Sequence, residues 1–171
     1  MSAGRKTLAA LLVLSGAALS IPPIAYGVGL LKTEGRPLPA DPKNYAPAEL
    51  SAAWKRCHDR LPLVVVPLNP WGVTAGVLSG DGQFHGTGQY AAMQVARAHN
   101  YKHVSGGMGW WHLSGAALTI WVTRSWTGEQ IAATLVRDQL CVVSLTIRWS
   151  GRVSDKVPSS CVGARAAQLS R

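Results

Sequence analysis

Acidic side chains are what this sequence has least of. Eight Asp and Glu stand against seventeen Lys and Arg, and charged residues make up 15% of the chain, where soluble domains carry roughly 25%. Seventeen cations in 171 residues is an ordinary supply, so the net charge of +9 reflects missing acids. No Lys/Arg-rich run exists, and the cations fall singly or in pairs such as Arg5-Lys6 and Lys55-Arg56. A nucleic-acid partner wants clustered cations, so that class is set aside. A scattered positive field suits weak attraction to anionic lipid headgroups or to an acidic cell-wall polymer equally well.

Other absences narrow the chemistry. Three cysteines, Cys57, Cys141 and Cys161, permit one disulfide and leave one thiol over. Without any C-x-x-C pair a structural zinc site is not expected, and Cys57 is read as a small hydrophobe packing in a helix. His99 and His103 are four apart, as metal ligands on a helix are, but no third ligand accompanies them. Ser79, Ser105 and Ser114 lack a G-x-S-x-G elbow, which argues against a hydrolase triad. The glycines of "GDGQFHGTG" do not join a clear strand to a clear helix start, so they make no phosphate loop. No internal repeat, cofactor motif or metal motif is present.

What is there begins with "TLAALLVLSGAALSIPPIAYGVGLL", residues 7–31, uncharged from end to end. A helix of about 20 residues spans the hydrocarbon core of a bilayer. The Pro22-Pro23 pair should interrupt this helix near its middle or end it early. Two readings follow: an uncleaved, kinked anchor, or a signal peptide cut after Ser20 or Gly27. Pro22 beside the first site and the apolar "VGLL" beyond the second favour the anchor. Arg5 and Lys6 on the shorter tail place the N-terminus inside and the bulk outside.

Residues 32–46, "KTEGRPLPADPKNYA", read as an extended linker that lifts the following domain off the membrane. In 47–60, Leu50, Ala53, Trp54 and Cys57 fall at i, i+3, i+4, i+7 behind Pro47, which predicts an amphipathic helix. "LPLVVVPL" (61–68) reads as a short buried strand or extended segment. Residues 69–88 hold six glycines and read as loop. A second helix is expected over 89–99, with Ala91, Val95 and Ala98 on its face and Tyr90 and Met93 alongside, broken by the glycines of 100–111. Trp110-Trp111 is read as core packing ahead of sugar stacking or membrane-interface contact. From Ser114 a helix runs to Arg124. Thr127 and Gln130 form the S/T-x-x-E/Q pattern of a capping box, which starts another helix with Ile131, Ala132, Leu135 and Val136 on its face. Trp121 and Trp126 then wedge the corner. Beyond it, Cys141, Val143, Leu145, Ile147 and Trp149 alternate like a strand, while 150–171 has no apolar period. The fold class expected is mainly α with one or two short strands. The layout is an anchor (1–31), a linker (32–46), a helical domain (47–140) and a poorly structured tail (141–171).

The helix–corner–helix resembles a segment of the peptidoglycan glycosyltransferases. In that family the run G-G-S-T-I-T-Q-Q-L-x-K-N is followed by an apolar helix ending in an aromatic-and-charge corner and then E-I-L-E-x-Y-L-N. Here "TGQYAAMQVAR" (87–97) and "ALTIWVTRSWTGEQIAATLV" (117–136) stand in those places. Gly88, Gln94, Val95 and Arg97 fall on the first motif, and Trp126, Glu129, Gln130, Ile131 and Leu135 on the second. The likeness covers about fifty residues. It implies a membrane-anchored domain polymerising a lipid-linked disaccharide, with Gln94 and Arg97 near the substrate. The departures are specific. The polar S-T-I-T-Q core becomes Gln89–Met93, Gln-Tyr-Ala-Ala-Met. Against the catalytic E-D-x-x-F the local match "GDGQF" offers Asp81 and Phe84, with Gly80 in place of the glutamate. Removing a sugar hydroxyl proton needs a carboxylate within reach, and only Asp59 and Asp81 lie in this region, Asp81 being the better placed. After Val136 the family's continuation is absent, and a shifted reading frame or a truncation scar is one explanation. The expectation is an inactive relative, anchored in the inner membrane by lipid contact. Its further partner would be a lipid-linked cell-wall precursor or an envelope protein.

Overall fold

The computed structural model describes residues 3–57, 59–79 and 86–141. Among them are six α-helices: α1 (Ala3–Leu31), α2 (Pro47–Arg56), α3 (Pro70–Leu78), α4 (Gln89–His103), α5 (Met108–Ser125) and α6 (Gly128–Arg137), with a 3₁₀ turn at Pro42–Asn44. The mainly helical class holds. The expected strands are not seen among the described residues, and the alternation after Cys141 lies outside them.

Helix α1 does not stop at its proline pair. It runs on to Leu31, and the stretch Leu11–Leu31 is long and apolar enough to cross a membrane, with a mean hydropathy of 1.7. Each proline removes one N–H from the ladder. Packing offsets that loss, since Pro22 is buried and borders a small cavity shared with Pro70 of α3 and Ile120 of α5. From Leu8 to Leu19 the large apolar side chains are exposed, whereas Gly29 touches α5 so closely that a Cβ there would lie 2.7 Å from the Ala117 Cβ. A glycine at a helix crossing is how two backbones approach this near.

The core forms where α2, α4 and α6 meet the end of α5. Leu50, Ala53, Trp54 and Cys57 are all buried, as their helical spacing requires. Ile131, Ala132 and Leu135 line α6, and Val136 is half-buried. Helix α4 is covered on two sides rather than one. Ala92 and Ala96 are as fully buried as Ala91, because α5 packs on one flank and α6 on the other. Ala98 is only half-buried and Tyr90 is exposed, so the face drawn through them from the sequence is displaced. Both glycine-flanked ends are also longer than the spacing implies: α4 reaches His103 and α5 begins at Met108.

Three further expectations are corrected. Residues 61–68 are extended but unpaired. Their backbone is held singly, by Val66 N donating to Thr87 O at 2.9 Å and Leu68 N donating to Thr123 Oγ1 at 3.1 Å. With no neighbouring strand among the described residues the apolar run has no ladder to join, and Leu61, Val64 and Val66 stay exposed. Residues 69–88 are not all loop, since α3 starts at Asn69, whose Oδ1 accepts from Gly72 N at 2.6 Å, with Pro70 in the first turn. Nor is Cys57 a free hydrophobe; it is joined by a disulfide to Cys141, pinning the end of α2 to the chain beyond α6.

The linker is a strap. Glu34 N donates to His103 O (3.1 Å), Ala40 N to Thr134 Oγ1 (3.0 Å) and Arg137 Nη1 to Leu38 O (3.1 Å). Instead of lifting the domain off α1, residues 33–40 run along α4 and α6.

Candidate functional site

Between that strap, the C-terminal half of α4 and the end of α6 lies an open groove of about 790 Å³. Its polar lining is Glu34, Arg36, His99, Lys102, His103 and the Arg137–Asp138 pair. The helical period puts His99 and His103 one turn apart, and their rings stack at 4.2 Å. Arg36 Nη1 donates to the carbonyls of Leu30 and Gly35, both at 3.0 Å. Arg137 grips Asp138 at both carboxylate oxygens (2.7 and 3.0 Å), which raises its pKa. Burial, then the neighbouring His103 and, more weakly, the Arg36 charge, push the His99 imidazole below its ordinary value, while backbone contacts at Glu34 and Gly35 partly oppose them. Its Nε2 is buried without a hydrogen-bond partner, an arrangement that suits the neutral ring.

The groove presents three cations, Arg36, Lys102 and Arg137, against two carboxylates, Glu34 and Asp138. Within the groove no histidine has a serine or a carboxylate as hydrogen-bond partner among the bonds the side chains make. Three cations against two carboxylates leave the groove a small excess of positive charge. Among the described residues no cluster of three or more His, Cys, Asp or Glu is poised for a metal ion.

Of the residues singled out from the sequence, the His99 and His103 pair lines this groove, whereas the described residues expected from the glycosyltransferase resemblance do not. Asp81 lies outside the described residues. Gln94 is half-buried on α4 and Arg97 is exposed, its guanidinium 5.8 Å over the Trp111 ring. Neither lines the groove. Trp110 and Trp111 are not core. Trp110 is 40% exposed beneath the Lys32 ammonium at 4.7 Å, and Trp111 is half-buried. The expected corner is present: Thr127 N donates to Gln130 Oε1 (2.9 Å), Gln130 N donates to Thr127 Oγ1 (3.2 Å), and Trp121 meets Trp126 edge-on at 6.0 Å.

Asp59, the other carboxylate in reach of a catalytic role, has a structural task. Its Oδ1 accepts from Gly88 N at 2.8 Å and its Oδ2 from Ala91 N at 3.1 Å. It thereby caps the N-terminus of α4, where Gly88, in the left-handed region at φ +76°, has no side chain to do so. A carboxylate at a helix N-terminus satisfies orphan N–H groups and meets the positive end of the dipole.

Two groups of residues went unread in the sequence. Asn100 is fully buried, donating from Nδ2 to Trp111 O (2.9 Å) and Ser114 Oγ (3.0 Å), and it latches α4 to α5. Polar residues are frequent along α4, so nothing local singled this one out. The groove itself joins residues about a hundred positions apart, and no local spacing announces it. No family model, curated protein or solved structure matches the chain.

Proposed function

We propose that the chain is a single-pass inner-membrane protein with its bulk on the extracytoplasmic side, a degenerate relative of the peptidoglycan glycosyltransferases that no longer transfers sugars. The loss of activity rests on Gly80 standing where the family has its catalytic glutamate, and it is supported by the engagement of Asp59 by the α4 backbone, since a general base must be free to meet the hydroxyl it deprotonates. Other carboxylates are similarly occupied. Asp41 accepts from Lys43 N, Glu49 accepts from Ala46 N, and Asp138 pairs with Arg137. The apolar length of α1 supports the anchor, and the Cys57–Cys141 disulfide supports an oxidising compartment. The lineage rests on the sequence likeness around Gly88 and the Thr127 corner.

The cationic groove favours a second reading, in which a small non-catalytic envelope protein works through a protein partner seated there. Both readings expect purified protein to leave a lipid-linked disaccharide precursor unpolymerised. Polymer made by the parent chain and lost in Asp81→Ala would overturn them.

A further inference from the structure

From Leu61 to Gly80 the chain carries no charged residue, and this second uncharged stretch lies against the first. Helix α3 packs on α1, with Pro70, Val73 and Thr74 facing the level of Pro22, Ala25 and Tyr26. That level has a depth. The uncharged run of α1 begins at Thr7, and about 20 residues are needed to cross the hydrocarbon, so a spanning α1 stays in the bilayer as far as Tyr26. Lys32 over Trp110 is the cation-and-aromatic pairing of a membrane–water interface. Pro22–Tyr26 lies roughly 8–14 Å below Leu31 at the rise of an α-helix.

We infer that α3 is a second membrane contact, seated in the outer leaflet beside α1 with Trp71, Val77 and Leu78 toward lipid. These side chains are 48%, 67% and 82% exposed, although they are among the most apolar on the domain. The backbone of α3 is prepared for a medium without water, where each polar group needs an internal partner. Its N-terminus is closed by Asn69 Oδ1. Thr74 Oγ1 donates to Pro70 O (2.9 Å), Ser79 N to Ala75 O (2.9 Å) and Ser79 Oγ to Gly76 O (3.1 Å). Val64 and Val66, exposed on the segment leading in, extend the same apolar surface. The contact would fix the tilt and rotation of the domain on its anchor, which a single span leaves free.

This inference rests on α1 spanning the bilayer, and the test separates the two. Full-length protein with Cys161→Ser, which spares the Cys57–Cys141 disulfide, receives one further cysteine at a time: Leu78→Cys on α3, Val13→Cys on α1 or Lys43→Cys in the 3₁₀ turn. Each is labelled with an environment-sensitive fluorophore. The proteins are reconstituted in phosphatidylcholine–phosphatidylglycerol vesicles bearing a nitroxide on the acyl chain, near the head group or near its end. The expected result is loss of most fluorescence at position 78 with the shallow nitroxide, loss at position 13 with the deep one, and little at position 43. Quenching at 13 without 78 overturns the second contact and leaves the anchor standing. So does equal quenching at 43 and 78, or cross-linking of Leu78→Cys between copies in place of quenching. No quenching at 13 overturns the anchor and the inference with it.

Discussion

Single residues decide much of how this molecule is held together. The Asp59 carboxylate is a cap, and Gly88 supplies the left-handed turn that brings two amides onto it. A Cβ at Gly88 would also come within 2.9 Å of Trp54 and of the Val64 carbonyl. That explains the glycine without appeal to chemistry on a substrate. His99 is the residue whose state changes with conditions. Its folded pKa lies below 6.5, so between that value and 6.5 the unfolded chain binds more protons than the folded one, and folding weakens as pH falls. Stability should be full above about pH 6.5 and decline as the medium is acidified through that window. The groups facing His99 are His103, Arg36, and the backbone at Glu34 and Gly35. Urea unfolding at pH 7.5 and pH 5 checks this: His99→Gln should lose less stability on acidification than the parent. Equal losses would remove burial of the imidazole as the cause.

Among the elements, the helices with a sequence period were the legible ones. Helix α6 is marked by its capping box, and α2 by four apolar residues at helical spacing behind Pro47. Helix α3 was hidden because it is apolar all round and carries Gly72 and Gly76, so no face shows and glycine content reads as loop. Its Asn-Pro start was the one usable mark. The 61–68 segment misled in the opposite direction, since a short apolar run forms a strand only where another strand can pair with it. Gly128 has a role here that no pattern reveals: a Cβ on it would collide with the Leu63 carbonyl, so a bare Cα lets the extended segment cross the start of α6. The groove was illegible for a related reason, as Arg36, His99 and Arg137 come together only through the strap. The disulfide is the strongest tie between elements, closing a sequence separation of 84 residues. Removing a cross-link over a loop of that size costs on the order of 2–4 kcal/mol. Cys57→Ser with Cys141→Ser should lower the urea midpoint accordingly, and addition of reductant to the parent should do the same. An unchanged midpoint would mean that α2 and α6 hold the end of the chain unaided.

At the scale of the whole molecule, the anchor and the domain share an interface. The second half of α1 packs on α5 and α3, and the strap returns the chain over α4 and α6, so the domain sits against its own apolar N-terminal helix. Gly29 makes that approach possible. The central proposal is that α1 crosses a bilayer and leaves the domain that follows, apart from the outer-leaflet contact of α3, on the far side. The most direct measurement expresses the full chain in bacteria, extracts membranes with alkaline carbonate, and treats intact spheroplasts with added protease. The account predicts a carbonate-resistant membrane protein whose domain is cut from outside. A chain that stays soluble in the cytoplasm and untouched by external protease would contradict it.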